Sequence, residues 1–335
     1  MTHNEASLQA IIENPDDDAP RLVYADWLEE RGDPRGEFIR VQCELAALAP
    51  GAPSWELARR LEQLWMARGE TWLQPFRDAL RERSLSLRDL FYGCVDVPLG
   101  PTFSRGFLED VSMTADHFLT LADTLFRLTP IRKAVLYEAR DHMSAVAGSP
   151  YPARLTALGL HGRPNLFVPG EFPDYDPGPD WFAPIGSGGA RLLAASPHLG
   201  RLTALDLGSN EIDDAGVEAL AACPGLARLT ELVLSDNRVG DAGAQALAAS
   251  SQLGRLCVLN LAGNYIGYAG ARALVTSPQL ACLTGLDLSV NAISPQGLWA
   301  LARVSFPARL SVRGLRRWEQ GRWRRRGGRA DARPE

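Results

Sequence analysis

The sequence predicts an α/β solenoid of strand–helix repeats that follows an all-α N-terminal region. The first observation is that asparagines recur with a fixed step of 27 residues, at Asn210, Asn237, Asn264 and Asn291. The second is that leucines before and after each asparagine keep the same step. The third is that alternating apolar residues before each asparagine indicate a strand, and the spacing after it favours a helix. A fixed period of this size is typical of solenoids, whose units pack only against their neighbours.

Each part of the repeat is predicted to have a distinct structural role. In the strand segment LTALDL, residues 202–207, the leucines at 205 and 207 are predicted to point inward and Asp206 outward. The asparagine lies where the strand bends, so its buried amide can bond freed backbone groups, and stacked copies are expected to form an Asn ladder. Residues that favour helix N-caps follow in every copy. They are Asp213, Gly240, Gly267 and Ser294. A glycine three positions further on, as at Gly243, predicts close packing between neighbouring helices.

The pattern LxxLxLxxNxIxxxGxxxL resembles leucine-rich repeats of the long, ribonuclease-inhibitor-like form. This resemblance implies a parallel sheet on the concave face, helices outside, and a protein-binding role. Degenerate copies begin at about residue 106, so we expect a solenoid of about six or seven units over residues 106–303. An aromatic and proline-rich insertion at 162–182 interrupts the repeat.

The N-terminal region is predicted to be helical. A helix is expected over residues 5–13, and a second after the acidic run 16–18. Asp33 is expected to cap a third helix whose inner face includes Phe38. The predicted buried stripe of the second helix is Leu22, Val23, Trp27 and Leu28.

This stretch, NPDDDAPRLVYADWLEERGDPRGEFIRVQCELA, resembles the bacterial repeat-companion domain. The resemblance covers about residues 1–48 and implies a bacterial protein without implying an activity. Residues 49–105 are expected to form a helical cap and linker. Residues 304–335 are expected to hold a C-terminal cap with a short strand at 310–312, and then an Arg-rich tail that is mostly disordered.

No pattern in the sequence predicts catalysis. The histidines lack zinc spacing, and no nucleophile motif is present. Three sets of residues allow a ligand-binding interpretation beside a structural one. Asp26, Glu29 and Glu30 could offer carboxylates to a metal or form a solvated helix face. Residues 16–18 could bind calcium or cap a helix, and GSGG at 186–189 could hold a phosphate or form a repeat turn. We favour the structural interpretation of each, and predict no enzyme, no metal and no cofactor.

Composition is that of an ordinary soluble protein, with 46% apolar and 22% charged residues. No apolar run approaches the ~20 residues of a membrane helix, and the polar, acidic N-terminus does not resemble a signal peptide. Five scattered cysteines indicate a reducing compartment. We therefore expect a cytoplasmic protein with no membrane association.

The predicted function is that of a non-enzymatic scaffold whose repeat surface binds another protein. The predicted contact residues lie on outward strand positions and in the insertion. They are Tyr137, His161, Phe172, Tyr175, Trp181, Asp206, Glu231, Asn260 and Asp287. The alternative is nucleic-acid association through the Arg-rich tail. A third hypothesis is an enzyme whose site lies in the N-terminal helices.

Overall fold

The computed structural model describes residues 3–49, 52–90, 103–161, 183–301, 311–313, 317–319 and 322–324. They divide into two compact units, one that runs to residue 136 and one that begins at residue 137.

The first unit begins with helices and ends with strands. The helices are α1 (His3–Glu13), α2 (Ala19–Glu29), α3 (Arg35–Ala47), α4 (Trp55–Trp72), α5 (Gln74–Arg81) and α6 (Leu87–Leu90). They are followed by β1 (Phe103–Ser104), β2 (Phe107–Leu108), β3 (Asp110–Thr114), α7 (Ala115–Leu128) and β4 (Lys133–Tyr137). The last residue of β4, Tyr137, is the first residue of the second unit. The Thr114 side chain caps α7 by accepting a hydrogen bond from the His117 amide at 3.3 Å.

The inner face of α2 differs from the predicted stripe. Leu28 is buried as predicted, but Val23 is 59% exposed and Trp27 is only partly buried. The helix instead buries Arg21, which is 0% exposed, together with Tyr24. The helix can bury this different face because the charge of Arg21 is paired, and a paired charge can be buried where an isolated one cannot.

The loop before α2 is held by arginines. Arg21 donates to Glu109 Oε1 at 2.6 Å and to the Pro15 carbonyl at 2.9 Å. The same carbonyl accepts bonds from Arg105 at 3.1 Å and from Arg132 at 3.2 Å. The acidic run beside this carbonyl is therefore part of an ion-paired network within the first unit.

The second unit is a parallel sheet whose strands alternate with helices. The strands are β5 (Ala157–His161), β6 (Ala204–Asp206), β7 (Glu231–Val233), β8 (Val258–Asn260), β9 (Gly285–Asp287) and β10 (Ser311–Arg313). The helices are α8 (Met143–Gly148), α9 (Gly186–Ala194), α10 (Asp214–Ala221), α11 (Asp241–Ala249), α12 (Tyr268–Thr276) and α13 (Pro295–Leu301). Strands pair in chain order and in register, with Leu205 opposite Leu232 and Leu232 opposite Leu259. This is a leucine-rich-repeat-like α/β fold.

The repeated asparagines lie between neighbouring repeats. Asn237 is 4% exposed, and its Oδ1 accepts bonds from the amides of Asn210 at 3.1 Å and Ile212 at 2.9 Å. Its Nδ2 donates to the carbonyls of Leu207 at 2.9 Å and Ser235 at 3.1 Å. One amide side chain thus satisfies backbone groups of two successive repeats where the strand bends.

The helix N-termini are capped from the preceding repeat where the local cap residue has no side chain. Asp214 Oδ1 accepts bonds from the amides of Gly240 at 2.6 Å and Gly243 at 2.9 Å, at the start of α11. A Cβ added at Gly243 would lie 2.7 Å from that oxygen, so the glycine permits the close approach.

Asp241 caps α12 in the same manner, through Gly267 at 2.8 Å and Gly270 at 2.7 Å. The next equivalent position is Tyr268, which has no carboxylate. There the following helix has its own cap, because the Ser294 hydroxyl accepts a bond from the Gly297 amide at 3.1 Å.

The C-terminal tail contains a short antiparallel pair. β11 (Arg317–Glu319) pairs with β12 (Arg322–Arg324). The tail is predicted to be mostly disordered, and these residues form regular structure within it. β10 corresponds to the short strand predicted at 310–312.

Candidate functional site

The candidate site is the sheet face of the second unit, where outward side chains of successive strands form rows. One row holds Ala204, Glu231, Val258 and Gly285, and the next holds Asp206, Val233, Asn260 and Asp287. Neighbouring strands lie about 4.8 Å apart, so each row presents side chains at that spacing. Glu231 and Val258 are exposed, whereas Asp206, Asn260 and Asp287 are half-buried.

The half-buried polar residues have a structural task as well. Asp206 Oδ1 accepts a bond from the Gly208 amide at 2.9 Å, and Asn260 Oδ1 accepts one from the Ala262 amide at 3.0 Å. Asp287 makes the same bond with the Ser289 amide at 2.9 Å. Such bonds to the backbone two residues later fix the turn that ends each strand.

The second carboxylate oxygens approach basic side chains of neighbouring strands. Asp206 Oδ2 lies 3.5 Å from His161 Nε2, and Asp287 Oδ2 lies 3.9 Å from Arg313 Nη1. The His161 ring lies 6.0 Å from that of Tyr137, measured between centroids. Tyr137 is only 6% exposed, so within this cluster His161 and Asp206 are the more accessible groups.

Three predicted contact residues, Phe172, Tyr175 and Trp181, lie outside the described residues, as does the whole insertion at 162–182. The aromatic surface that the sequence predicts beside His161 therefore stays a prediction.

The residues with a possible ligand-binding role have structural partners. Asp26 and Glu29 both pair with Arg40, on exposed side chains. In the GSGG segment, the Ser187 hydroxyl bonds to Asp213, and this bond lowers the pKa of that carboxyl. Over the described part of the chain, no group of three or more His, Cys, Asp or Glu side chains could hold a metal ion.

Sequence reasoning missed Arg313 and the turn bonds of the second row. A signal for those bonds is present, because an Asp or Asn recurs two residues before a small residue in LDLG, LNLA and LDLS. This recurrence is difficult to recognise in the sequence because β7 has Val233, which cannot form the bond, at the equivalent position.

A leucine-rich-repeat family model matches residues 202–221, 228–248 and 256–275. The C-terminal region therefore contains leucine-rich repeats, in agreement with the resemblance seen in the sequence. No curated protein matches the chain. None of the described helices is long and apolar enough to cross a membrane.

Solved structures with similar segments include leiomodin-1 actin-binding site 2, at 19% identity and a TM-score of 0.27, over 30% of this chain and 62% of that one. An internalin (inlF) of Listeria monocytogenes str. 4b F2365 matches at 18% identity and a TM-score of 0.30, over 56% of this chain and 48% of that one. Internalin C2 of the same strain matches at 17% identity and a TM-score of 0.30, over 61% of this chain and 80% of that one. The chain thus covers less than two thirds of the length of the leiomodin-1 and inlF structures. The repeat assignment rests on the matched repeats and the sheet register, not on these likenesses.

Proposed function

We propose that this chain is a non-enzymatic scaffold protein, and that the sheet face of its second unit binds another protein. The observation that supports the proposal best is the in-register display of outward side chains on a rigid backbone. The asparagine bonds and the carboxylate caps hold the strand ends in place before any partner arrives. Such preorganisation lowers the entropy lost on binding.

The chemistry of the face suits a mixed polar and apolar protein surface. Val233 and Val258 lie side by side with Glu231, Asn260 and Asp206 in the two rows. Interfaces commonly combine an apolar centre with a polar rim that sets orientation. The nucleic-acid alternative gains no support from the described residues, which include only short backbone segments of the tail.

The domain organisation belongs to the same proposal. We assign residues 1–48 to a repeat-companion domain, 49–105 to a helical cap, 106–303 to the solenoid and 304–335 to the C-terminal cap and tail. The insertion at 162–182 would add Phe172, Tyr175 and Trp181 to the contact surface. The proposed location is the cytoplasm of a bacterium.

Affinity capture from the native bacterium with the full chain as bait tests the proposed function. The face variant is Glu231→Lys combined with Val258→Asp, and the matched control is Glu218→Lys on the exposed side of α10. Central contacts in an interface contribute ~1–2 kcal/mol or more each, so the face variant should weaken capture about tenfold or more. The proposal fails if the face variant and the wild type capture the same proteins in equal amounts.

A further inference from the structure

Four arginines occupy the same turn of successive repeats. They are Arg154, Arg201, Arg228 and Arg255, and each comes three residues before a strand begins. In every copy the residue after the arginine donates its amide to the carbonyl two residues before the arginine. The bonds are Leu155 to Pro152 at 3.1 Å, Leu202 to Leu199 at 2.9 Å, Leu229 to Leu226 at 3.0 Å and Leu256 to Leu253 at 3.0 Å. The turn therefore presents each arginine from the same backbone position.

The sheet register places these turns side by side. The amide of Thr203 donates to the Thr156 carbonyl, Thr230 to Thr203, and Cys257 to Thr230, each at 2.8 Å. The arginines therefore form a row along the edge where the strands begin, with a backbone spacing of about 4.8 Å. We call this set of four the arginine row. It ends at Cys282, which occupies the same turn in the next repeat without a charge.

Two arginines of the row lack the ion pairs that several other described arginines form. Arg228 and Arg255 are exposed and form no ion pair or side-chain hydrogen bond with any of the residues that the structure describes. By contrast, Arg40 and Arg60 pair with carboxylates of neighbouring helices.

Like charges of the row lie close enough to affect one another. Burial lowers the pKa of Arg154, and the charge of Arg201 lowers it further. At ordinary ionic strength the Debye length is about 8–10 Å, so charges at the spacing of this row act together on a partner.

We propose that the arginine row binds an acidic segment of the partner protein. This inference rests on the proposed function, since it gives the chemistry of the partner that the same repeats bind. An arginine guanidinium group can donate two parallel hydrogen bonds to one carboxylate. An extended segment with acidic side chains at alternate positions presents a carboxylate about every 6.7 Å on one face, a spacing that long arginine side chains can meet.

The composition of the turns favours an acidic peptide over a nucleic acid. Single-stranded nucleic acids are held by aromatic side chains that stack on bases as well as by positive charge. The turns that carry the row at residues 199–203, 226–230 and 253–257 contain no aromatic residue.

Fluorescence anisotropy of a labelled oligoglutamate peptide with the full chain tests the inference. The row variant is Arg201→Gln, Arg228→Gln and Arg255→Gln together. The control removes the same charge from exposed sites off the row, by Arg59→Gln, Arg68→Gln and Arg272→Gln. One exposed ion pair changes affinity roughly two- to threefold, so the row variant should bind about tenfold more weakly and the control nearly as well as wild type. Thermal denaturation of both variants checks that each remains folded at the temperature of the binding assay.

The inference is overturned if the wild type does not bind the peptide, or if both variants lose affinity equally. It is also overturned if a single-stranded oligonucleotide of equal charge binds more tightly through the row, because the partner class would then be wrong. Failure of the inference is distinguishable from failure of the proposed function. If the face variant loses the captured partner and the row variant keeps it, the function stands and only the acidic-segment proposal falls.

Discussion

Asn237→Leu is the substitution whose effect follows most directly from the structure. Leucine has nearly the size of asparagine and fits an apolar interior, but it cannot bond the backbone. The substitution would leave two amides, those of Asn210 and Ile212, and two carbonyls, those of Leu207 and Ser235, without this partner. Each buried polar group left unsatisfied costs about 1–3 kcal/mol. Because the surrounding backbone can relax in part, we expect the free energy of unfolding to fall by at least ~3 kcal/mol.

Urea denaturation followed by far-UV circular dichroism measures this loss. With an m-value of about 3 kcal/mol/M, the midpoint should fall by about 1 M. Asn260→Leu is the matched control, because Asn260 is half-buried and its Oδ1 accepts one bond, from Ala262. It should shift the midpoint much less. Equal shifts in the two variants would refute the reasoning that Asn237 joins neighbouring repeats.

Further substitutions test other contacts. Asp214→Ala removes the cap of the helix that begins after Gly240, and thermal denaturation should show a loss of about 1–2 kcal/mol; an unchanged midpoint would mean that the cap contributes nothing. Val290 is 84% exposed with φ of 56°, so Val290→Asn should stabilise the protein by roughly 1 kcal/mol in the same assay, and destabilisation would contradict the assigned backbone strain. Glu109→Gln leaves Arg21 buried beside a neutral group, so chemical denaturation should show a loss of about 3–5 kcal/mol; a loss near zero would show that the pair is dispensable.

Regular features of the fold could be predicted from the sequence because they repeat. The strand leucines, the asparagines and the cap positions recur at one step, so each copy supports the interpretation of the others. The helix predicted over residues 5–13 corresponds to α1, His3–Glu13, in the structure.

Features that depend on distant partners could not be predicted. Arg21 is buried because of Glu109, which is far away in sequence, and this displaces Val23 to the surface. The capping of α11 by Asp214 was missed for the same reason, since capping rules consider only residues next to the helix. Of the candidate site, the outward strand positions follow from alternation, but the bonds that engage Asp206 require the turn geometry.

Carboxylate footprinting by mass spectrometry tests the central claim most directly, namely that the sheet face binds a protein. The protein would be labelled at exposed carboxylates alone and with its captured partner. The account predicts that labelling of Glu231 decreases on binding, while that of Glu218 on the outer helix is unchanged. Protection of Glu218 with undiminished labelling of Glu231 would place the partner on the helical side and contradict the account.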